Sequence, residues 1–223
     1  MTTIQQNLEA VRASLPTGVT LVAVSKYHPA EAIREAYEAG QRVFGESKVQ
    51  ELTTKVKALP NDIEWHFIGH LQTNKVKQLI PHVALIHSVD SERLLDEISK
   101  QAVRAERTVD VLLQLHVAQE ETKYGFTPDE VVGLLLERGA DGWAGIRIRG
   151  IMGMASLTDD EAQIRREFGL LKQTFNLLSE RIFAQCPWFD IRSYGMSDDY
   201  PLAVEEGSTM VRVGSRIFGA RVY

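Results

Sequence analysis

The stretch from Thr20 to Glu46, TLVAVSKYHPAEAIREAYEAGQRVFGE, decides how the rest of the chain is read. It opens on a β-branched apolar run, TLVAVS at 20–25, too continuously apolar for a strand with one wet face. Pro29 stands at the start of AEAIREAYEAG, an amphipathic stretch, and Gly40 sits where a helix stops in the left-handed conformation. A second short run, RVFG at 42–45, follows at once. Strand, turn, helix and strand in this order are the unit of a parallel sheet covered by helices.

The unit recurs along the whole chain. After an opening helix at about residues 4–14, further apolar runs are WHFIG at 65–69, ALIHS at 84–88, VDVLLQLHV at 109–117, IRIRGIMGM at 146–154, FDIRS at 189–193 and TMVRVG at 209–214. Ser91 ahead of ERLLDEISKQAVRA and Pro128 opening DEVVGLLLERG mark helix starts, and Gly139 marks a stop. Eight strand-then-helix units predict an α/β fold, a (β/α)8 TIM barrel with an additional N-terminal helix, because the count reaches eight without remainder. An open doubly wound sheet uses the same alternation. In either fold functional side chains belong where strands end and loops begin. Prolines and glycines are scattered singly and no low-complexity run separates two halves, so residues 1–223 are expected to form one domain.

Composition excludes several classes of function. Twenty-five Lys and Arg against thirty Asp and Glu give a net charge of −5, which offers no field for nucleic acid. One cysteine, Cys186, closes no intrachain disulfide and suits a reducing, cytoplasmic setting. The N-terminal stretch lacks the basic head and apolar run of a signal peptide, and no segment approaches the apolar length of a membrane span.

Three features carry chemistry. Lys26 follows LVAVS directly, which places an amine at the C-terminal mouth of the first strand; partial desolvation there favours a nucleophile toward carbonyls, whereas a solvated lysine ending a strand is the plain alternative. The segment SYGMSDDYPLAVEEGSTMVRVGSRIFG, residues 193–219, carries two small-residue turns after strands seven and eight, where barrels build a phosphate cup from backbone N–H groups. Met196 with Ser197, and Gly214 with Ser215, supply its positions, unless the two serines merely cap helices. In strand eight the alternation puts Arg212 and Gly214 on one face and Val211 and Val213 on the other. Arg212 then meets either a ligand atom at the mouth or a structural partner, Glu205 or Glu206.

Other patterns fail on context. Gly214 and Gly219 have the spacing of a Walker loop, but Ala220 and Arg221 follow where Lys and Ser or Thr must stand. His66 and His70 flank a strand and a glycine and so share no helix face; they read as core or loop histidines rather than zinc ligands. Asp198 and Asp199 read as helix-start carboxylates rather than an acid/base dyad.

The ordered set VAVSKYHP, VFGE, WHFIGHLQTNK, IHSVDS, ETKYGF, YGMSDD and GSTMVRVGSRIFG, covering about residues 20–220, resembles the pyridoxal phosphate homeostasis protein family, small barrels of the alanine racemase type. The resemblance implies a cofactor, pyridoxal 5′-phosphate (PLP), held as a Schiff base on Lys26, with Ser197, Gly214 and Ser215 on its phosphate and Arg212 facing the pyridine nitrogen. A cation beside that nitrogen disfavours its protonation and weakens the electron sink of PLP enzymes. The racemase relatives use a tyrosine from a second domain as proton shuttle, and this chain ends at Tyr223. The implied function is therefore that of a monomeric carrier or regulator in vitamin B6 homeostasis, meeting PLP, other B6 vitamers and apo-enzymes that take up PLP. The alternatives are a PLP-dependent racemase or decarboxylase and a sugar-phosphate barrel enzyme without PLP. One departure stands out: the family usually reads Gly-Glu-Asn after the second strand, whereas here Ser47 and Lys48 follow Gly45-Glu46, and Lys48 offers a second amine.

Overall fold

A computed structural model describes residues 1–119 and 124–220. Eight parallel strands close in sequence order into a barrel: β1 (Thr20–Val24), β2 (Val43–Glu46), β3 (Glu64–Phe67), β4 (Leu85–Val89), β5 (Val109–Gln114), β6 (Ile146–Met152), β7 (Ile191–Ser193) and β8 (Met210–Val213). β8 pairs back onto β1 through Thr20 opposite Met210 and Ala23 opposite Val213, which closes the ring and settles the choice against an open sheet. All eight expected strands are present. β5 and β6 end earlier than their apolar runs suggested, at Gln114 and Met152, because the chain turns off into mouth loops there.

The helices are α1 (Thr3–Ala13), α2 (Ala30–Glu38), α3 (Val49–Ala58), α4 (Val76–Leu79, preceded by a 3-10 turn), α5 (Glu92–Arg104), α6 (Pro128–Arg138), α7 (Glu161–Arg181), α8 (Tyr200–Glu205) and α9 (Ser215–Phe218). Start signals act where the sequence placed them. Pro29 and Ser91 occupy the N-cap positions of α2 and α5, and Pro128 is the first residue of α6 behind a Thr127–Glu130 capping box.

Strand parity sorts side chains into two cores. Outward residues such as Ala23, Phe44, Trp65, Ile86, Val111, Val211 and Val213 pack under the helices. Inward residues Val22, Leu85, Leu112, Met152, Ile191 and Met210 fill the barrel. α9 is only four residues long, too short to cover the seam between the last and first units. The additional helix α1 covers it instead: Asn7 donates to the Ile217 carbonyl at 3.2 Å, Ser14 and Tyr200 share a 2.8 Å hydroxyl contact, and Arg12 donates to the Ala39 carbonyl at 2.7 Å.

Candidate cofactor site

The ladder between β1 and β2 continues one step past β1, with the Ser25 N–H donating to the Gly45 carbonyl at 3.0 Å. That step delivers Lys26, half-buried, to the C-terminal mouth of the barrel. Opposite it, β7 runs into the turn Gly195–Asp199. Gly195 has φ of +95°, and a Cβ there would stand 2.6 Å from the Ala203 Cβ, so only glycine lets this turn cross α8 so closely. β8 runs into Gly214 and the short α9. The Gly214 N–H donates to Ser197 Oγ at 3.2 Å, tying the two turns together. His28, beyond Lys26, stacks on Phe218 of α9 with ring centroids 5.1 Å apart.

Between these segments lies a cavity of about 260 Å³ whose wall includes all six residues singled out from sequence: Lys26, Met196, Ser197, Arg212, Gly214 and Ser215. Neither serine caps a helix, since Asp199 and Gly214 hold the N-cap positions of α8 and α9. Of the acidic pair expected at a helix start, Asp199 holds the N-cap position of α8, but its side chain turns back to accept the Met196 N–H at 2.5 Å rather than capping the helix. On the two turns the backbone N–H groups of Ser197, Asp198, Ser215 and Arg216 have no acceptor among the described residues. Such converging donors suit an anion.

Arg212 forms the floor of the cavity. It is 5% exposed and donates to the Ser193 carbonyl at 2.7 Å, to Ser193 Oγ at 2.8 Å and to the Gly153 carbonyl at 3.0 Å. The pairing with Glu205 or Glu206 weighed from sequence is not made: both glutamates bind Arg165 instead, at 2.6 and 3.2 Å. Burial lowers the Arg212 pKa to about 10, with Asp199 opposing the shift, so the guanidinium stays charged at neutral pH.

Below Arg212 runs a polar chain that the sequence reading did not assemble. His87 Nδ1 lies 3.0 Å from Ser193 Oγ, and His87 Nε2 lies 3.0 Å from His66 Nδ1. Because Arg212 donates to Ser193 Oγ, the serine proton is left for His87 Nδ1. His87 then carries its own proton on Nε2 and donates to His66. Burial drives the His66 pKa down to about 3 and that of His87 well below its ordinary value, with repulsion from Arg212, and from His66 whenever that ring is protonated, adding to the latter shift. Both rings are therefore neutral, as this single direction of donation requires. A parity signal was present in the sequence: His66 sits between outward Trp65 and Phe67 and so points inward, as Arg212 does. His70, four residues on, is a surface residue paired with Asp90 at 3.0 Å, so no shared metal face exists.

The departure after β2 leads elsewhere than the cavity. The Lys48 ammonium rests 4.8 Å over the Tyr27 ring, and neither Ser47 nor Lys48 is among the lining residues. Glu121, Thr122 and Lys123 of the ETKYGF motif, with Arg221 and Tyr223, lie outside the described residues.

A lysine at the cavity wall, backbone N–H groups on the two turns and a buried guanidinium between them make a barrel-mouth site suited to an anionic ligand. Over residues 1–222 the chain matches the family of the alanine racemase N-terminal domain, and it belongs to that family. Within it the chain stands with the pyridoxal phosphate homeostasis proteins. It is 38% identical to the one from Vibrio alginolyticus across all of both chains, and 40% identical to the one from Aquifex aeolicus, over 91% of this chain and 87% of that one. Among solved structures, PipY of Synechococcus elongatus is 38% identical and is covered fully by 97% of this chain; the TM-score is 0.89 for its form without PLP and 0.85 for its form with PLP bound.

Proposed function

We propose that this chain is a PLP-binding carrier of vitamin B6 homeostasis, in which residues 1–223 act as one cofactor-binding unit and Lys26 is the point of attachment. The observation that carries the reading is the meeting of all six expected residues around one cavity. PLP supplies an electrophilic aldehyde that a lysine amine attacks reversibly, and an acidic ring that can act as an electron sink. The residues present fit such a group. Lys26 offers the amine at the mouth of β1. Ser197, Asp198, Ser215 and Arg216 offer N–H groups to a phosphate ester, with the Gly214 N–H tying the two turns together through Ser197 Oγ. Arg212 offers a charged donor toward a ring nitrogen and disfavours a proton there, which weakens the sink and suits holding a cofactor more than turning over amino acids.

The working partners in this reading are PLP, other B6 vitamers and apo-enzymes that receive PLP, and the working compartment is the cytoplasm, with the chain a monomer. In support, the net charge is −5, the one cysteine suits a reducing environment, and no helix among the described residues is long and apolar enough to cross a membrane.

The test is direct. Purified protein mixed with PLP and reduced with borohydride should carry the cofactor mass on the peptide containing Lys26, and Lys26→Ala should lose that label and bind PLP about 100-fold more weakly. Label on another lysine, or none, overturns the assignment. Incubation of the loaded protein with amino acids in deuterated water separates carrier from racemase: loss of the Cα proton signal at catalytic turnover, abolished by Lys26→Ala, would establish the enzyme reading.

A further inference from the structure

The residues on either side of Lys26 are held by a charge cluster that lies behind the cavity. The Ser25 carbonyl accepts from Lys55 Nζ at 2.9 Å, and Ser25 Oγ donates to Glu46 Oε1 at 2.6 Å. The Tyr27 N–H donates to Glu51 Oε1 at 2.7 Å. One ammonium joins these ties, since Lys55 Nζ lies 2.7 Å from both Glu46 Oε1 and Glu51 Oε1. The Lys55 side chain is 7% exposed and that of Glu46 is fully buried. The second Glu46 oxygen, Oε2, is buried with no hydrogen-bond partner among the described residues.

A cluster this buried does more than attach α3 to the barrel. A lysine shared by two glutamates, with an unsatisfied Glu46 oxygen in the interior, is a costly arrangement for packing alone. What it secures is a backbone: Tyr27 adopts φ of +67°, a left-handed state rare for a residue with a bulky side chain, directly after Lys26. Strained residues persist where their surroundings over-determine them, and here the surroundings are the carboxylate of Glu51 on one side of Lys26 and the Lys55 ammonium on the other.

We propose that Lys55 is a positioning residue for Lys26: shared among Glu46, Glu51 and the Ser25 carbonyl, its ammonium fixes the turn from which the Lys26 amine reaches an aldehyde in the cavity. The inference rests on the reading of Lys26 as the attachment point. It concerns only the amine, because the phosphate turns after β7 and β8 make none of these contacts. Lys55 itself touches no ligand.

Two probes separate the roles. PLP has the aldehyde; pyridoxine 5′-phosphate keeps the ring and the phosphate but has no aldehyde. Lys55→Met is expected to weaken PLP binding about tenfold and to slow borohydride-trapped labelling of Lys26, with pyridoxine 5′-phosphate affinity unchanged within about twofold. The single variant leaves Glu46 buried beside no cation and could fail to fold, so Lys55→Met with Glu46→Gln, which removes both buried charges together, carries the same test. Equal losses for both probes, or no loss for either, would overturn the positioning role. Wild-type protein is the control for the underlying reading: if PLP and borohydride do not label Lys26 there, the attachment assignment itself fails; if they do and the variants show no split between probes, only the role of Lys55 fails.

Discussion

The two mouths of the barrel are built from the same eight strands and hold opposite kinds of polar chemistry. The N-terminal mouth has the larger cavity, about 400 Å³, against about 260 Å³ at the C-terminal mouth. Its central charges are consumed by one another. Arg147 grips Asp110 with two bonds at 2.7 and 2.8 Å, and Arg149 binds Asp110 at 2.8 Å, Asp190 at 3.1 Å and the Trp188 carbonyl at 2.9 Å. At the C-terminal mouth the backbone N–H groups of Ser197, Asp198, Ser215 and Arg216 have no acceptor among the described residues, and Lys26 lines the smaller cavity. Strand polarity explains the difference. All eight strands run the same way, so the C-terminal mouth is where loops enter helix N-termini and present donors, and the N-terminal mouth is where helices arrive by their carbonyl ends. The smaller cavity, not the larger, is the one bordered by backbone donors without an acceptor among the described residues.

The comparison can be broken first at the arginines. Arg212→Met should destabilise the apo-protein by about 3 kcal/mol in urea unfolding, because the Ser193 and Gly153 carbonyls lose a charged donor in the buried interior. It should also break the Ser193–His87–His66 chain, since Ser193 Oγ loses the donor that orients its proton. Arg212→Glu, in PLP-loaded protein, should move the cofactor's absorption to longer wavelength by letting the ring nitrogen take a proton. An unchanged spectrum would place Arg212 away from that nitrogen.

What could be read from sequence followed the same physical divide. Strands and their parity were legible because continuous apolar runs and small-residue turns are local signals, and parity alone put Arg212 on the face opposite Val211 and Val213, which the structure shows to be the inner one. The two small-residue turns after β7 and β8 were legible for the same reason, with Met196 and Ser197 in one and Gly214 and Ser215 in the other, all now found around one cavity. The clusters joining distant segments were not. His66 and His87 meet across β3 and β4, and Lys55 reaches Glu46 and Ser25 from the next helix; no spacing along the chain announces such meetings. A hint existed for Lys55, which shares the buried face of α3 with Val49 and Leu52 and so had to find a partner inside. The motif departure at Ser47 and Lys48, by contrast, drew attention to a position that faces the Tyr27 ring rather than the cavity.

A smaller effect sharpens the comparison through pH. Burial raises the Glu46 pKa from 4.5 to about 7, against the opposing pull of Lys55 and of the Ser25 hydroxyl, while the charge of Glu51 adds to the rise. In the unfolded chain Glu46 returns to its ordinary value, so between about pH 4.5 and about pH 7 the folded state holds a proton that the unfolded state has lost. The stabilisation is complete below the unfolded pKa and is lost as pH rises through about 7. Wild-type stability should thus decline across this window by about 3 kcal/mol relative to Glu46→Gln, followed by urea midpoints at several pH values. The buried histidines, held below their ordinary value of 6.5, make stability rise with pH over part of the same window, but they do so in both proteins and their contribution cancels in the comparison. Parallel pH profiles for the two proteins would mean that Glu46 titrates at its ordinary value.

The smallest effect belongs to the other mouth. Arg149→Met removes three ties, yet its side chain is 25% exposed, and Asp110 keeps its two-bond grip from Arg147. Solvent screening and this redundancy hold the expected loss of stability to about 1 kcal/mol or less. PLP and pyridoxine 5′-phosphate affinities should not change, because no unused donor is created or lost at the cofactor end. A polar link between the mouths is the chain His66–His87–Ser193–Arg212, whose far end, His66, lines the N-terminal cavity beside Arg149. A shift in cofactor affinity on Arg149→Met would therefore show that the two mouths are coupled through these neutral histidines rather than separately built.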